Sequence, residues 1–520
     1  MKSDKLGQRQ IWIVDFGSQY TQLITRKSRE LGYSGEIITL KECRELFESG
    51  KTPKALVLSG GPQSVFDDET DYSFIFDQKE LPILGICYGM QLLGKYFGGE
   101  VEKGTIGEYG HAEIQFDSAF ENCPEKVNVW MSHSDHVSKV PADFKTVIES
   151  HNGLVAGIQH KERKILGLQF HPEVDHSDHG KDILNHFFKN IASLKGDWTA
   201  SEMLKEAMEL VSSVGDKKVL CAFSGGVDSL VAATLAHKVL GENLYCFFID
   251  NGLLRPQDMG HIKMLQEKTP LNIEIVDVKD FFLGKLKGLD EPEDKRKMIG
   301  RTFIEVFEQK VHEYENNHGI KFDYLLQGTL YPDVIESFSP HAADGKSVTI
   351  KSHHNVGGLP ERMKLELLEP LRYLFKDEVR KLGEELSLDY EWVHRHPFPG
   401  PGIGIRVLGE LKPESILKVQ ESDQILFEEL HSQGLYQSTW QALTVLLPVK
   451  TVGVKGDKRA YEEVICLRMV NSSDGMTATW SDMPHEFLSK VSSRITNEVK
   501  GVTRVVYDIT SKPPGTIEWE

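Results

Sequence analysis

Cysteine is scarce in this 520-residue chain. There are six, at positions 43, 87, 123, 221, 246 and 466, and no two of them form a Cys-x-x-Cys pair. Zinc-ribbon and thioredoxin-like chemistry are therefore not expected, and reduced thiols in a reducing compartment fit best. Long apolar runs are missing as well. The longest stretch, Leu81 to Leu93, is broken by Pro82, Gly85 and Gly89, whereas a membrane helix needs ~20 apolar residues in a row. The polar opening MKSDKLGQRQ carries no secretory signal pattern, so the cytoplasm is the expected location. Positive charge is also short: 60 Lys and Arg face 78 Asp and Glu, for a net charge of −18. Such a chain is a poor general binder of nucleic acid or anionic membrane, and small anions bind it only where local groups overcome the global field. Repeats, low-complexity tracts and the Walker A pattern are absent too. What remains is a globular composition, 40% hydrophobic and 27% charged, with room for about three domains at ~150 residues each.

The order of elements predicts an α/β protein: two doubly wound parallel-sheet domains followed by a smaller α+β domain. In residues 11–194, apolar runs such as Ile11–Asp15, Ala55–Leu58 and Ile83–Ile86 alternate with helical segments, as in a mostly parallel sheet covered on both faces. The pattern lapses near 196. A second unit opens with the strand Lys218–Phe223 and the segment SGGVDS. A third begins at the Pro/Gly-dense stretch HPFPGPG (396–402), which suits neither helix nor central strand. The expected boundaries are 9–196, 197–395 and 396–520.

Gly85-Ile86-Cys87-Tyr88-Gly89 sits between a strand and a helix. Its glycines permit a sharp turn that exposes Cys87 at a helix N-terminus, where the helix dipole favours thiolate. Further on, Gln169-Phe170-His171-Pro172-Glu173 ends a strand, so His171 and Glu173 face one side, and Pro172 keeps His171 extended. This suits an imidazole base oriented by a carboxylate. Ser59-Gly60-Gly61-Pro62 follows another strand, and a backbone N–H at Gly60, with that of Tyr88, makes a two-donor oxyanion hole. Drawn differently, His171, Glu173, Asp175, His176, Asp178 and His179 form a metal cluster, but that leaves the cysteine turn and the glycine loop without a task, and no metal is expected there. Together GICYGMQ, LSGGP and QFHPE resemble the triad (class I) glutamine amidotransferases over about 11–194. The resemblance implies Cys87 as nucleophile toward the glutamine amide, His171 as proton carrier and Glu173 as its orienter. It implies Gly60 and Tyr88 at the oxyanion, and Gln91 and Ser132–Asp135 against the glutamine.

Ser224-Gly225-Gly226-Val227-Asp228-Ser229 follows a strand and opens a helix, the setting for a backbone phosphate nest. An aspartate beside phosphate needs Mg²⁺ or basic groups nearby. Asp250-Asn251-Gly252 and Gln327-Gly328-Thr329 end further parallel strands, where α/β sheets bind ligands, and Lys376 offers a cation. SGGVDS resembles the loop of the ATP pyrophosphatases, which split ATP between the α and β phosphates. That implies ATP and Mg²⁺, with Gly328 and Lys376 joining residues 224–229 at the nucleotide.

Four later segments, KSHHNVGGLP (351–360), RHPFPGPGIGIRVLGE (395–410), LPVKTVGVKGDKR (447–459) and YDITSKPPGTIEWE (507–520), extend the likeness. With them, nearly the whole chain resembles the glutamine-hydrolysing GMP synthetase family. The resemblance implies XMP, ATP and glutamine as substrates, a homodimer formed through the third unit, and no nucleic-acid or membrane partner. It places XMP against the tail, with Lys512 supplying charge, Thr516 and Ile517 backbone N–H groups, and Glu518 an acceptor for a purine N–H. Lys351, His353 and His354 are expected near the nucleotides.

Overall fold

Short apolar runs with no polar face build part of the first sheet of the computed structural model, which describes residues 7–116, 120, 123–337, 365–455, 457–472 and 477–520. The strands are β1 (Ile11–Val14), β2 (Gly35–Ile38), β3 (Ala55–Leu58), β4 (Ile83–Ile86), β5 (Glu100–Phe116), β6 (Lys126–Lys139), β7 (Phe144–Ser150), β8 (Val155–His160) and β9 (Ile165–Leu168). They lie in the order β2-β1-β3-β4-β9-β8-β7-β5-β6. In β1, β3, β4 and β9 each of the four residues is buried, as parallel strands covered on both faces require. The two faces are separate. Ile11, Ile13, Ala55 and Val57 enter one apolar cluster, while their neighbours Trp12, Val14, Leu56 and Leu58 enter another, because successive side chains point to opposite sides.

The sheet is parallel from β2 to β9, and β8, β7, β5 and β6 then continue it antiparallel. The sequence pattern predicts a mostly parallel sheet, and this antiparallel extension is the difference. The buried and more exposed positions of β6 alternate, which marks a half-buried antiparallel strand. Helices α1 (Thr21–Glu30), α2 (Leu40–Glu48), α3 (Tyr88–Tyr96) and α4 (Gly180–Asn185) accompany the parallel part. No helix among the described residues is long and apolar enough to cross a membrane.

The chain divides into two compact units, Met1–Met203 and Leu204–Glu520. The second contains a five-stranded, wholly parallel sheet of β10 (Val219–Ala222), β11 (Leu244–Asp250), β12 (Ile273–Asp277), β13 (Tyr324–Leu326) and β14 (Glu366–Leu368), in the order β12-β11-β10-β13-β14. Helices α5 (Val227–Leu240), α6 (Pro256–Lys268), α7 (Pro292–His318) and α8 (Lys376–Glu385) belong to this part. After α9 (Pro413–Ser432) come β15 (Gln441–Lys455), β16 (Lys458–Asn471), β17 (Thr479–Trp480), α10 (His485–Glu498) and β18 (Val502–Tyr507). Here β15 and β17 run antiparallel to β16, and β18 parallel to it. One apolar cluster includes Leu220 and Phe247 of the parallel sheet and Leu446, Ile465 and Val502 of the last one.

Candidate active site

Strand β4 lies between β3 and β9 in the first sheet, so the loops that leave their C-terminal ends converge. That edge is where parallel α/β sheets place ligands. Cys87 stands between β4 and α3 with φ 52° and ψ −105°, a conformation that costs a non-glycine residue of order 1–3 kcal/mol. Its neighbours explain how the turn closes. A Cβ on Gly85 would meet the Gly89 carbonyl at 2.6 Å, and a Cβ on Gly89 would meet the Leu58 oxygen at 2.3 Å. Backbone bonds hold the turn from both sides: Cys87 N–H donates to Leu168 O at 2.7 Å, and Gly89 N–H to Ser59 O at 3.2 Å.

His171 and Glu173, carried just past β9, are 3% and 1% exposed, and Cys87 is 6% exposed. The His171 Nδ1 lies 2.7 Å from Glu173 Oε1, and the Cys87 thiol lies near enough to the imidazole to influence its titration. Burial presses the imidazole toward neutrality, but the Glu173 charge and the interactions with Cys87 and Glu173 prevail, raising its pKa well above the ordinary histidine value. The peptide is fixed as well, since His171 N–H donates to Trp130 O at 3.0 Å and Ser177 Oγ–H to His171 O at 2.6 Å. Tyr20 packs edge-on against the ring, with centroids 5.0 Å apart. A thiol, an imidazole and a carboxylate so placed can serve as nucleophile, base and orienter in acyl transfer.

Gly60 lies against this pair, because a Cβ there would stand 3.0 Å from His171 Cε1. Tyr88 begins α3. Gln91 Nε2 donates to Asp135 O at 2.8 Å, and the Cys87 thiol faces Ser132 O at 3.8 Å. Residues 91 and 132–135 thus come together beside the cysteine. His133 pairs with the buried Glu108 at 3.3 Å, and Ser64 Oγ–H donates to Asp135 Oδ2 at 2.6 Å. Sequence reasoning missed Gln169, whose Nε2 points at Cys87 Sγ from 3.7 Å. The signal was its place in the motif: Gln169 opens the segment QFHPE that also carries His171 and Glu173. Three of the four other members of the alternative metal cluster have separate partners. Asp175 pairs with Lys27 at 2.7 Å, His179 with Asp182 at 3.1 Å, and His176 lies against the Trp130 ring. No group of three or more His, Cys, Asp or Glu that could hold a metal ion occurs among the described residues.

The second site forms where β10 gives way to α5. Ser224 Oγ lies 3.0 Å from Ser229 Oγ and accepts from Gly226 N–H at 3.3 Å, while Ser229 Oγ–H donates to Gly226 O at 3.0 Å. The loop is closed by its own hydroxyls. Gly225 has φ 72°, and no side chain caps the α5 N-terminus. Val227 is buried. Gly328, past the adjacent β13, packs on the loop backbone, where a Cβ would lie 2.9 Å from the Asp228 carbonyl carbon and 3.1 Å from Ser229 N. Lys376, the first residue of α8, reaches Asp228 Oδ2 at 2.6 Å. Asp228 Oδ1 is buried and has no partner among the described residues. Asp250, the last residue of β11, is paired with Lys279 at 2.9 Å.

The tail is anchored. Lys512 exchanges backbone hydrogen bonds with Ala478 at 2.7 and 3.0 Å. Ile517 packs with Val470 and Ala478, and Thr516 O accepts from Arg468 Nη2 at 3.0 Å. The Glu518 carboxylate is gripped by Arg406, at 2.9 and 3.2 Å, and by Gln441 Nε2 at 2.8 Å. Lys351, His353 and His354 lie outside the described residues.

Comparison with known proteins covers the chain almost end to end. The family model for glutamine amidotransferase class-I matches residues 12–191, that for NAD synthase residues 200–329, and that for the GMP synthase C terminal domain residues 428–519. A GMP synthase (glutamine-hydrolyzing) of Chlorobaculum tepidum is 50% identical over 523 residues, 98% of each chain. The one of Thermosipho melanesiensis is 50% identical over 516 residues, 98% of this chain and 99% of that protein. Among solved structures, a putative GMP synthase subunit from Thermoplasma acidophilum is 33% identical, covering 35% of this chain and 93% of its own, with a TM-score of 0.32.

Proposed function

The chain belongs to the family of glutamine-hydrolysing GMP synthases, and from that premise we propose how its residues share the work. The enzyme is a ligase that hydrolyses glutamine to ammonia, adenylylates XMP with ATP and aminates it to GMP, releasing AMP and pyrophosphate. His171 takes the thiol proton as Cys87 Sγ attacks the glutamine amide carbon, and Glu173 keeps the imidazole aimed. Backbone N–H groups of Gly60 and Tyr88 receive the oxyanion, and Gln91 borders the glutamine. His171 returns its proton to the departing nitrogen, ammonia leaves, and water then cleaves the thioester to glutamate. The single observation that carries this reading is the strained Cys87 turn facing a His171–Glu173 pair 2.7 Å apart.

In the second half, residues 224–229 cradle the phosphates of ATP, with Gly328 against the loop and Lys376 supplying positive charge. The XMP 2-oxygen attacks the α-phosphorus, pyrophosphate departs, and ammonia displaces AMP from the purine. Mg²⁺ fits at Asp228, whose Oδ1 is buried without a partner among the described residues; when bound it supplies neutralising charge for the phosphates. Lys512, Thr516, Ile517 and Glu518 hold XMP. We assign the amidotransferase to 9–196, the adenylating domain to 197–395 and the XMP-binding, dimer-forming domain to 396–520; the three matched family models fall one within each. The exposed Val449, Val452, Val454 and Tyr461 on β15 and β16 support a homodimer, and the paucity of paired cysteines supports a cytoplasmic setting.

The test is Cys87→Ala. Synthesis from glutamine should vanish while synthesis from added ammonium salt persists. Loss of both in a folded variant would refute the division of labour.

A further inference from the structure

Asp68 lies on the loop that runs on from Gly60 and Gly61, and its carboxylate reaches back to the start of α3. Its Oδ2 accepts the hydroxyl of Tyr72 at 2.6 Å and the hydroxyl of Tyr88, and its Oδ1 accepts Thr70 N–H at 2.9 Å. The same loop is fastened to α3 a second time, since Lys95 Nζ donates to Val65 O at 2.5 Å and to Asp68 O at 3.3 Å. Tyr88 is 1% exposed, and its ring packs against Phe16 with centroids 5.2 Å apart. Burial opposes the Asp68 charge, yet hydrogen bonds from Tyr72, Tyr88 and Thr70 bring its pKa down to about 2, so the carboxylate stays ionised at neutral pH.

Tyr88 is the residue whose backbone N–H follows the nucleophile. The 87–88 peptide turns on ψ of Cys87 and φ of Tyr88, and Cys87 holds a strained conformation. Such strain persists only when neighbouring contacts over-determine it. We infer that Asp68 is a positioning residue for glutamine hydrolysis: by gripping the Tyr88 hydroxyl from the loop that carries Gly60, it fixes the two halves of the oxyanion hole relative to each other. This rests on the reading of Gly60 and Tyr88 as oxyanion donors. It assigns a task to a carboxylate outside the Cys87, His171 and Glu173 set.

The experiment compares Asp68→Ala, Tyr88→Phe and the double variant in full-length enzyme. Losing an oxyanion donor outright costs roughly 10²–10³ in kcat, and a loosened donor should cost part of that. Each single variant is expected to lose about tenfold in glutaminase kcat, with KM for glutamine within about twofold, by comparison with the larger penalty for a missing donor. The double variant should be no worse than either single one, because both remove one connection. Asp68→Asn, which keeps an acceptor for Tyr88, should recover most of the rate. Alkylation of Cys87 by iodoacetamide develops no oxyanion, so its rate, followed by mass spectrometry, should match the unaltered enzyme. Ammonia-driven synthesis reports that the rest of the molecule is folded. Alkylation and hydrolysis falling together would mean that Asp68 places the thiol, overturning the proposal, as would an unchanged kcat or additive losses in the double variant. Glutaminase activity surviving in Cys87→Ala would instead overturn the reading beneath it.

Discussion

His171 carries the sharpest electrostatic consequence of the amidotransferase site. Burial disfavours its charge, but Glu173 at 2.7 Å and the nearby Cys87 thiol outweigh burial and leave its pKa well above 6.5. A raised folded-state pKa means that the imidazolium stabilises the fold fully below the unfolded value. That stability is lost as pH rises through the folded value. Catalysis runs the other way, since a base must be neutral to accept the thiol proton. Glutamate release should therefore climb with pH through an ionisation above the ordinary histidine range. In Glu173→Gln the limb should move to lower pH, and the plateau should fall by roughly 10² or more, as loss of an orienting carboxylate does in triads. A pH–rate profile of glutamate release from both proteins checks this, and a limb that stays put would remove Glu173 from the explanation. Cys87, His171 and Glu173 were legible in the chain because each belongs to a short motif that follows a strand. Strand β9 itself stops at Leu168, so the bends and turn after it, and not strand alternation, bring His171 to Glu173. Asp68 was illegible. It sits in the acidic, motif-free run DDETD, and only the folded loop brings it to Tyr88.

Both proposed centres are built from turns in which glycines leave no room for a Cβ, and this makes them testable as elements. Gly89 presses on β3, where an added Cβ would lie 2.3 Å from Leu58 O. Gly89→Ala should destabilise the protein by about 1–3 kcal/mol, as overpacking does. It should also reduce glutaminase more than it reduces ammonia-driven synthesis. Gly328 presses on the phosphate loop at 2.9 Å from the Asp228 backbone. Gly328→Ala should impair synthesis from glutamine and from ammonia equally. Parallel rate measurements with the two nitrogen sources separate these outcomes, and equal losses in both for Gly89→Ala would contradict the assignment. Parallel strands such as β1, β3 and β4 could be read in advance because they are continuous apolar runs, whereas β2 and β14, which carry Glu36 and Glu366, show no such run. The long β5–β6 pairing could not be read in advance. Gly104, Gly107 and Gly110 interrupt the alternation of β5, and the pairing register shifts between Lys103 and Glu108, so no period-2 signal survives there.

The whole molecule carries a net charge of −18 yet handles ATP and XMP, both anions, so its substrate sites must be local exceptions to the global field. In the second unit three cations border the sites proposed for these anions, each already held by an acceptor of the chain. Lys376 stands at Asp228, and the buried Arg406 and Arg468 hold the tail at Glu518 and at Thr516 O. A phosphate loop without a Walker lysine, closed by Ser224 and Ser229, suits a leaving pyrophosphate, and this choice of bond determines where atoms go. If the XMP 2-oxygen attacks the α-phosphorus, that oxygen leaves the purine bonded to phosphorus. XMP labelled with ¹⁸O at the 2-position should then give unlabelled GMP and AMP carrying the label, with pyrophosphate unlabelled. Glutamine labelled with ¹⁵N in its amide should deliver that nitrogen to the purine 2-amino group, and Cys87→Ala should take it only from labelled ammonium. Asp228→Asn should yield neither product from either nitrogen source while still releasing glutamate, because its fault lies in the second unit. Mass spectrometry of AMP, GMP, pyrophosphate and glutamate reads these outcomes. Formation of ADP, or ¹⁸O appearing in pyrophosphate, would mean that the bond broken in ATP is not the one this loop is assigned to break.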